Sequence, residues 1–206
     1  MHVCLSCRGG ADILYARTLK GKGNHQIQSF VQGGGQYLGI CAGAYYGCRR
    51  LLFAKETSQE IASDRELDFF PDTAAGPTLK PWDHKTNSGV EAALVQWIGP
   101  SDPFPEKHPL TIYYNGGGHF VNAQMYPHVT VLATYTTTPH PQAALVDIIV
   151  GKGRVILSGV HCEFDPKLLD MTDPYLNPLQ EKLIATDQDR RALVVNLLQR
   201  LSIETI

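Results

Sequence analysis

The sequence predicts an α/β fold in one domain spanning residues 1–206, its sheet mostly parallel at the centre and carrying an antiparallel extension. Three observations lead there. Apolar strand-like runs alternate with helical ones in the first fifty residues, strand-like runs follow one another through short turns in the second half, and a helical tail closes the chain. A chain of 206 residues is long enough to bury a sizeable core as one unit.

A short strand is expected at about 2–7, then a loop, then a helix at about 24–32 that Gly33-Gly34-Gly35 ends. A buried strand follows at about 37–41. Ala42 to Cys48 start the next helix, so Cys41 falls at a strand-to-helix turn. Residues 66–82 are rich in proline, glycine and aromatics and read as an irregular covering segment within the domain. Strands are expected at 89–99, 109–115, 129–135, 143–150 and 153–160, the last two joined by the turn Gly151-Lys152-Gly153. In the helical tail at about 176–201, Leu193, Leu197, Leu198 and Leu201 share one face.

Charged residues make up 18% of the chain and the formal net charge is -2, with basic residues scattered in pairs such as Arg49-Arg50, so a nucleic-acid partner is not expected. No apolar run approaches the roughly 20 residues that span a bilayer, and the start lacks a secretory pattern. No membrane partner is expected, and the cytoplasm is the expected location. Five cysteines, an odd number, suggest reduced thiols. Cys4 and Cys7 form a lone C-x-x-C in a strand, where residues three apart face opposite ways, so neither a zinc site nor any other metal or cofactor is expected.

The chemistry concentrates in two segments. Gly39-Ile40-Cys41-Ala42-Gly43 has the layout of a nucleophile elbow: glycines on both sides allow a sharp turn that displays the thiol where a helix begins. The helix N-terminus favours negative charge at the sulfur, and the Ala42 N–H would be one oxyanion donor. The same small residues also satisfy tight strand–helix packing. Gly159-Val160-His161-Cys162-Glu163 follows the apolar strand ending at Ser158. In extended chain His161 and Glu163 point to one side, so the carboxylate can orient the imidazole while the other ring nitrogen faces a thiol. Cys162 would point away into packing. Alone, such a His and Glu could equally be surface residues at a strand end. Together the segments match a Cys-His-Glu triad on two parallel strands ending at one sheet edge.

Three further stretches bear on the site. In "NGGGHF", Asn115, Gly116, Gly117 and His119 could line a pocket, although glycines also make tight turns. Tyr45, Tyr46 and Tyr114 are candidate pocket walls, as aromatics that also suit a core. "GKGR" at 151–154 reads as a hairpin turn, and no G-x-x-x-x-G-K-[ST] phosphate loop is present to drive ligation with ATP.

The segments "GGADILYARTLKGKGNHQIQSFVQGGGQYLGICAGAYYGC", "FFPDTAAGP", "YYNGGGHF", "GKGRVILSGVHCEF" and "DQDRRALVVNLLQRL" together resemble the class I glutamine amidotransferase-like superfamily. More closely they resemble the N-terminal domain of eukaryotic biotin-protein ligases and stand-alone bacterial proteins. The resemblance implies a flavodoxin-like, three-layer sandwich. It places Cys41, His161 and Glu163 at the triad positions, and Gly9-Gly10 in the glycine loop, where Gly10 supplies the second oxyanion donor. It implies an amidase or amidotransferase-like hydrolase acting on a small-molecule or peptide amide. The alternative is a catalytically silent ligand-binding or regulatory domain; a structural partner of a biotin ligase or carboxylase is a third reading. The chain has no room for a ligase catalytic domain.

Three departures from the family pattern carry consequences. Tyr45 stands where glutamine hydrolases hold their substrate with a glutamine, which argues against glutamine as substrate. Arg8 replaces the proline expected before the glycines. Only about seven residues precede the glycine loop, where relatives carry a further N-terminal strand-helix-strand that this chain is expected to lack; either the start given is internal to a longer protein or the exposed edge pairs, as in a homodimer.

Overall fold

The structure, a computed structural model, describes residues 4–7, 10–83 and 85–203. Gly9 and Arg8 of the glycine loop, and residues 2 and 3 of the first expected strand, lie outside the described residues. In chain order the elements are β1 (Cys4–Cys7), α1 (Asp12–Thr18), α2 (Lys22–Gln32), β2 (Gln36–Ile40), α3 (Ala42–Tyr46), β3 (Cys48–Phe53), β4 (Ile61–Asp64) and β5 (Phe70–Gly76). They continue with β6 (Val90–Trp97), β7 (Pro109–Asn115), β8 (His119–Phe120), β9 (Val129–Tyr135), β10 (Gln142–Val150), β11 (Gly153–Ser158), α4 (Asn177–Ala185) and α5 (Asp187–Arg200).

The strands form one mixed sheet in the order β1-β2-β11-β10-β8-β5-β3-β4, with β9, β6 and β7 branching from β10. Its parallel centre is β1, β2 and β11, and β10 joins antiparallel to β11 through the turn at 151–152. Both faces of this centre are covered, which is why its strands read as continuous apolar runs. Tyr37, Val155 and Leu157 pack on the side of α2, with Val31; Ile40 and Ile156 pack on the side of α5, with Leu193, Leu197 and Leu201. Cys7 and Cys4 likewise go to opposite clusters, as period-2 alternation requires. Helix α2 ends where Gly33 donates to the Ser29 carbonyl and Gly34 takes a φ of +116°. Among the described residues no helix is long and apolar enough to cross a membrane.

Several expected elements differ. The loop before α2 contains a second helix, α1, too short for a periodic signal. The helix expected to reach Cys48 is α3, which stops at Tyr46: the Phe69 and Phe70 amides donate to the Gly47 carbonyl, and the chain leaves as β3 to pair parallel with β5. The covering segment at 66–82 therefore contains a strand, β5. The tail helix breaks at Thr186 into α4 and α5. Arg190 and Arg191, both 2.6 Å from Asp187, tie the first turn of α5 together.

Candidate active site

Cys41 follows the last residue of β2, and its backbone takes φ 52° and ψ -105°. A non-glycine residue held there is strained by about 1–3 kcal/mol, and such strain concentrates at functional sites. Neighbouring contacts over-determine the turn. The Cys41 N–H donates to Ser158 at the end of β11 (2.8 Å), and the Cys41 carbonyl accepts from Ala44 and Tyr45 (3.0 Å each). The flanking glycines are sterically required. A Cβ on Gly39 would lie 2.5 Å from the Gly43 carbonyl oxygen, and one on Gly43 would lie 2.0 Å from that of Cys7. The turn at Cys41 thus combines the close strand–helix packing and the displayed thiol, which the sequence leaves as alternatives.

His161 lies three residues beyond the end of β11, the parallel neighbour of β2, so adjacent strand ends bring it to Cys41. Its N–H donates to the Tyr113 carbonyl (2.8 Å) and its ring lies against Tyr113 at 5.7 Å. Glu163 Oε1 is 2.9 Å from His161 Nδ1, which leaves Nε2 as the nitrogen available to the thiol. The route to this contact differs from the expected extended chain: residues 159–163 form a turn, closed by a hydrogen bond from Ser158 Oγ to the Val160 carbonyl. Cys162 faces the α5-side core, where burial pushes its thiol up to about 12.

Burial of His161 works against its charged form, but the hydrogen bonds and charge interactions with Cys41 and Glu163 outweigh it and raise the imidazole to about 10. Glu163 reaches the imidazole through Oε1, while its Oε2 is buried with no hydrogen-bond partner among the described residues. Cys41 Sγ also lies 3.5 Å from the Asn115 carbonyl, to which a thiol proton would donate.

A cavity of about 390 Å³ opens over this group, lined by Gly10, Ala42, Tyr45, Asn115 and Gly116 together with Cys41 and His161. Gly10, with a φ of +113°, and Ala42, the two expected oxyanion donors, both line this cavity. The Tyr45 hydroxyl donates to the Gly116 carbonyl at 3.0 Å, so its ring forms the wall. Gly117 does not line the cavity; its role is close approach, since a Cβ there would lie 1.7 Å from the Gly159 carbonyl oxygen. The glycines at 116–118 and the His161 turn interlock through that contact.

Three expected pocket residues lie elsewhere. Tyr46 is fully buried, bonded to Asn24 and stacked near Tyr15, because it faces α1 and α2 across α3. Tyr114 is buried with its hydroxyl donating to Gly117. His119 lines a separate groove with Thr78, its Nδ1 3.1 Å from the Thr78 hydroxyl. Burial lowers its pKa below the ordinary histidine value. Conversely, sequence reasoning missed Asp12, Ile13, Leu51, Phe53, Ile61 and Trp82 as wall residues. Only the aromatic covering segment hinted at Trp82; the others arrive from α1 and the β3–β4 hairpin, whose placement local patterns do not encode.

Residues 3–206 match the family model described as "Biotin-protein ligase, N terminal". The chain is 34% identical over 194 residues to an uncharacterized protein of Chlamydia muridarum, covering 94% of this chain and 73% of that one. It is 36% identical over 170 residues to the biotin–protein ligase of Schizosaccharomyces pombe, covering 80% of this chain and 26% of the ligase. The chain thus spans about a quarter of that ligase. Among solved structures, a glutamine amidotransferase superposes with a TM-score of 0.53 at 17% identity, covering 88% of this chain and 79% of that one. That likeness is of fold: an amidotransferase-like α/β sandwich.

Proposed function

We propose that this chain, which belongs to the biotin-protein ligase N-terminal family, is a cysteine-dependent acyl-transfer enzyme of the amidase or amidotransferase type. The observation that carries the reading is the strained backbone at Cys41 facing an imidazole already oriented by a carboxylate 2.9 Å away. Cys41 Sγ forms a bond to the substrate carbonyl carbon, the thiol proton being already held by His161 at Nε2, whose imidazole is raised to about 10. The Ala42 and Gly10 amides hold the oxyanion, each such donor being worth roughly 100- to 1000-fold in rate. His161 then delivers its proton to the leaving amine as the carbon–nitrogen bond breaks. Water, or an acceptor amine, attacks the resulting thioester and gives a proton to His161; the carbon–sulfur bond then breaks, releasing the acid or new amide, and the proton returns to the sulfur. Glu163 holds the imidazole and stabilises its cation throughout.

Iodoacetamide labelling at neutral pH tests the reading. Cys41 is expected to label, and His161→Ala, which removes the group that holds the thiol proton, to slow it by about 100-fold or more, the low end for a lost proton-transfer group. Labelling as fast in His161→Ala as in the wild type overturns it. The second reading is a ligand-binding module without turnover, in which the thiol would donate to the Asn115 carbonyl, 3.5 Å away, rather than serve His161. An acyl adduct on Cys41, seen as added mass after exposure to amides and thioesters, excludes that second reading.

A further inference from the structure

The Cys41 cavity is chemically two-sided. At one end stand the groups that would handle a carbonyl: the Gly10 and Ala42 backbone, Asn115 and His161. Apart from Ala11, Asp12 and Gly116, the rest of the wall is Ile13, Leu51, Tyr45, Phe53, Ile61 and Trp82. Phe53 and Ile61 face each other directly across the β3–β4 hairpin. Phe53 meets Tyr45 edge-on at 5.8 Å and Trp82 edge-on at 5.8 Å, so three rings make one continuous surface. Ile61 is 39% exposed and Phe53 half-buried, which leaves apolar area open to whatever fills the cavity.

We infer that the acyl group accepted by this site is apolar and of aromatic size, and that Phe53, Ile61 and Trp82 read it. The inference rests on the acyl-transfer reading and names its substrate class. A zwitterionic amino acid such as glutamine needs charged partners for its ammonium and carboxylate. Beyond His161, which faces Cys41 and Glu163, the charged side chain on the wall is Asp12, held by Arg65 at 2.6 Å so that the pair carries no net charge. A cavity of about 390 Å³ has room for a ring-bearing acyl group. Aromatic edges and a branched aliphatic side chain are the complement of such a ring.

The test uses the full chain and three alkylating probes: chloroacetamide, N-(2-phenylethyl)chloroacetamide, and the glutamine analogue 6-diazo-5-oxonorleucine. With either chloroacetamide, sulfur bonds to the methylene carbon as the carbon–chlorine bond breaks and chloride leaves. Adduct mass at Cys41 gives the rate. The phenylethyl probe is expected to react roughly tenfold or more faster than chloroacetamide, the discrimination a preformed apolar pocket supplies. In Ile61→Ser and Phe53→Ser, the ratio of the two rates within each protein falls to near one. Ile61 is exposed enough for its variant to fold if Phe53→Ser does not. A wild-type ratio near one, a ratio unchanged in Ile61→Ser, or fastest labelling by the glutamine analogue overturns the inference. If chloroacetamide labels Cys41 in a His161-dependent way while the ratio is near one, only the pocket inference fails. If no probe labels Cys41, both fall.

Discussion

Gly43→Ala measures how tightly the Cys41 turn is built. A Cβ at this position would lie 2.0 Å from the Cys7 carbonyl oxygen, 2.6 Å from its carbon and 2.8 Å from the Cys7 Cβ. Attractive contact begins near about 3.5 Å, so β1 and α3 must part by more than about 1 Å. No rotamer change relieves this, because the nearest obstacles are backbone. Cys7 is paired with Gly39 in the β1–β2 ladder, and α3 is anchored by the Ala44 and Tyr45 bonds to Cys41 and by Tyr37, whose hydroxyl donates to the Gly43 carbonyl at 2.8 Å. Overpacking of this kind costs about 3 kcal/mol. Alanine's helix propensity offsets up to about 1 kcal/mol of it. The net loss is about 2 kcal/mol, a fall in melting temperature of roughly 4–8 °C for a chain of this size. Gly23→Ala in α2 is the control. Its Cβ would lie 3.1 Å from the Leu19 Cβ and 3.2 Å from its Cδ2, so Leu19 need give by only a few tenths of an ångström and the propensity gain leaves the variant near neutral. Thermal unfolding followed by circular dichroism reads both. Gly43→Ala melting together with Gly23→Ala refutes the packing argument. A shift of β1 also moves Gly10 relative to Cys41, so iodoacetamide labelling of Gly43→Ala is expected to slow.

His161, raised to about 10, is expected to stay protonated above pH 8 in a histidine NMR titration, and Glu163→Gln to bring its midpoint down; a wild-type midpoint near 6.5 overturns the assignment. Because the folded value lies above the unfolded one, the stability contributed by the imidazolium is complete below about pH 6.5 and is lost as pH rises toward 10. Asp12→Ala strips Arg65, whose side chain is 2% exposed, of its carboxylate partner, and is expected to lower stability by about 3 kcal/mol in urea unfolding. The double variant Asp12→Leu with Arg65→Met should lose less, since it leaves no unpaired buried charge; equal losses refute the pairing.

Much of the centre of the fold was legible because its signals are local. The apolar runs at 37–41 and 153–160, the glycine triplet after α2 and the Gly151-Lys152-Gly153 turn each act within a few residues. The pattern around Cys41 was legible for the same reason: only glycines at 39 and 43 permit the close approaches that this turn makes. Local signals failed where a distant partner decided. Arg49, Leu51 and Phe53 form a strand because β5 and the Gly47 carbonyl's partners Phe69 and Phe70 are there to receive the chain. Tyr45 and Tyr46 are adjacent and identical in type, yet the helical rotation between them sends one ring to the Cys41 cavity and the other to Asn24 in the core.

By itself, then, the sequence singled out the residues proposed to carry the chemistry and placed them at strand ends, since spacing and glycine placement are properties of the chain alone. Only the tertiary structure decided what surrounds them. Parallel pairing of β2 with β11 joins Cys41 to His161 across 120 positions, a turn rather than a strand sets Glu163 against the imidazole, and α1 with the β3–β4 hairpin supplies the apolar wall. Those contacts depend on strand order and helix packing, which the burial of the whole core selects and no short window of residues encodes.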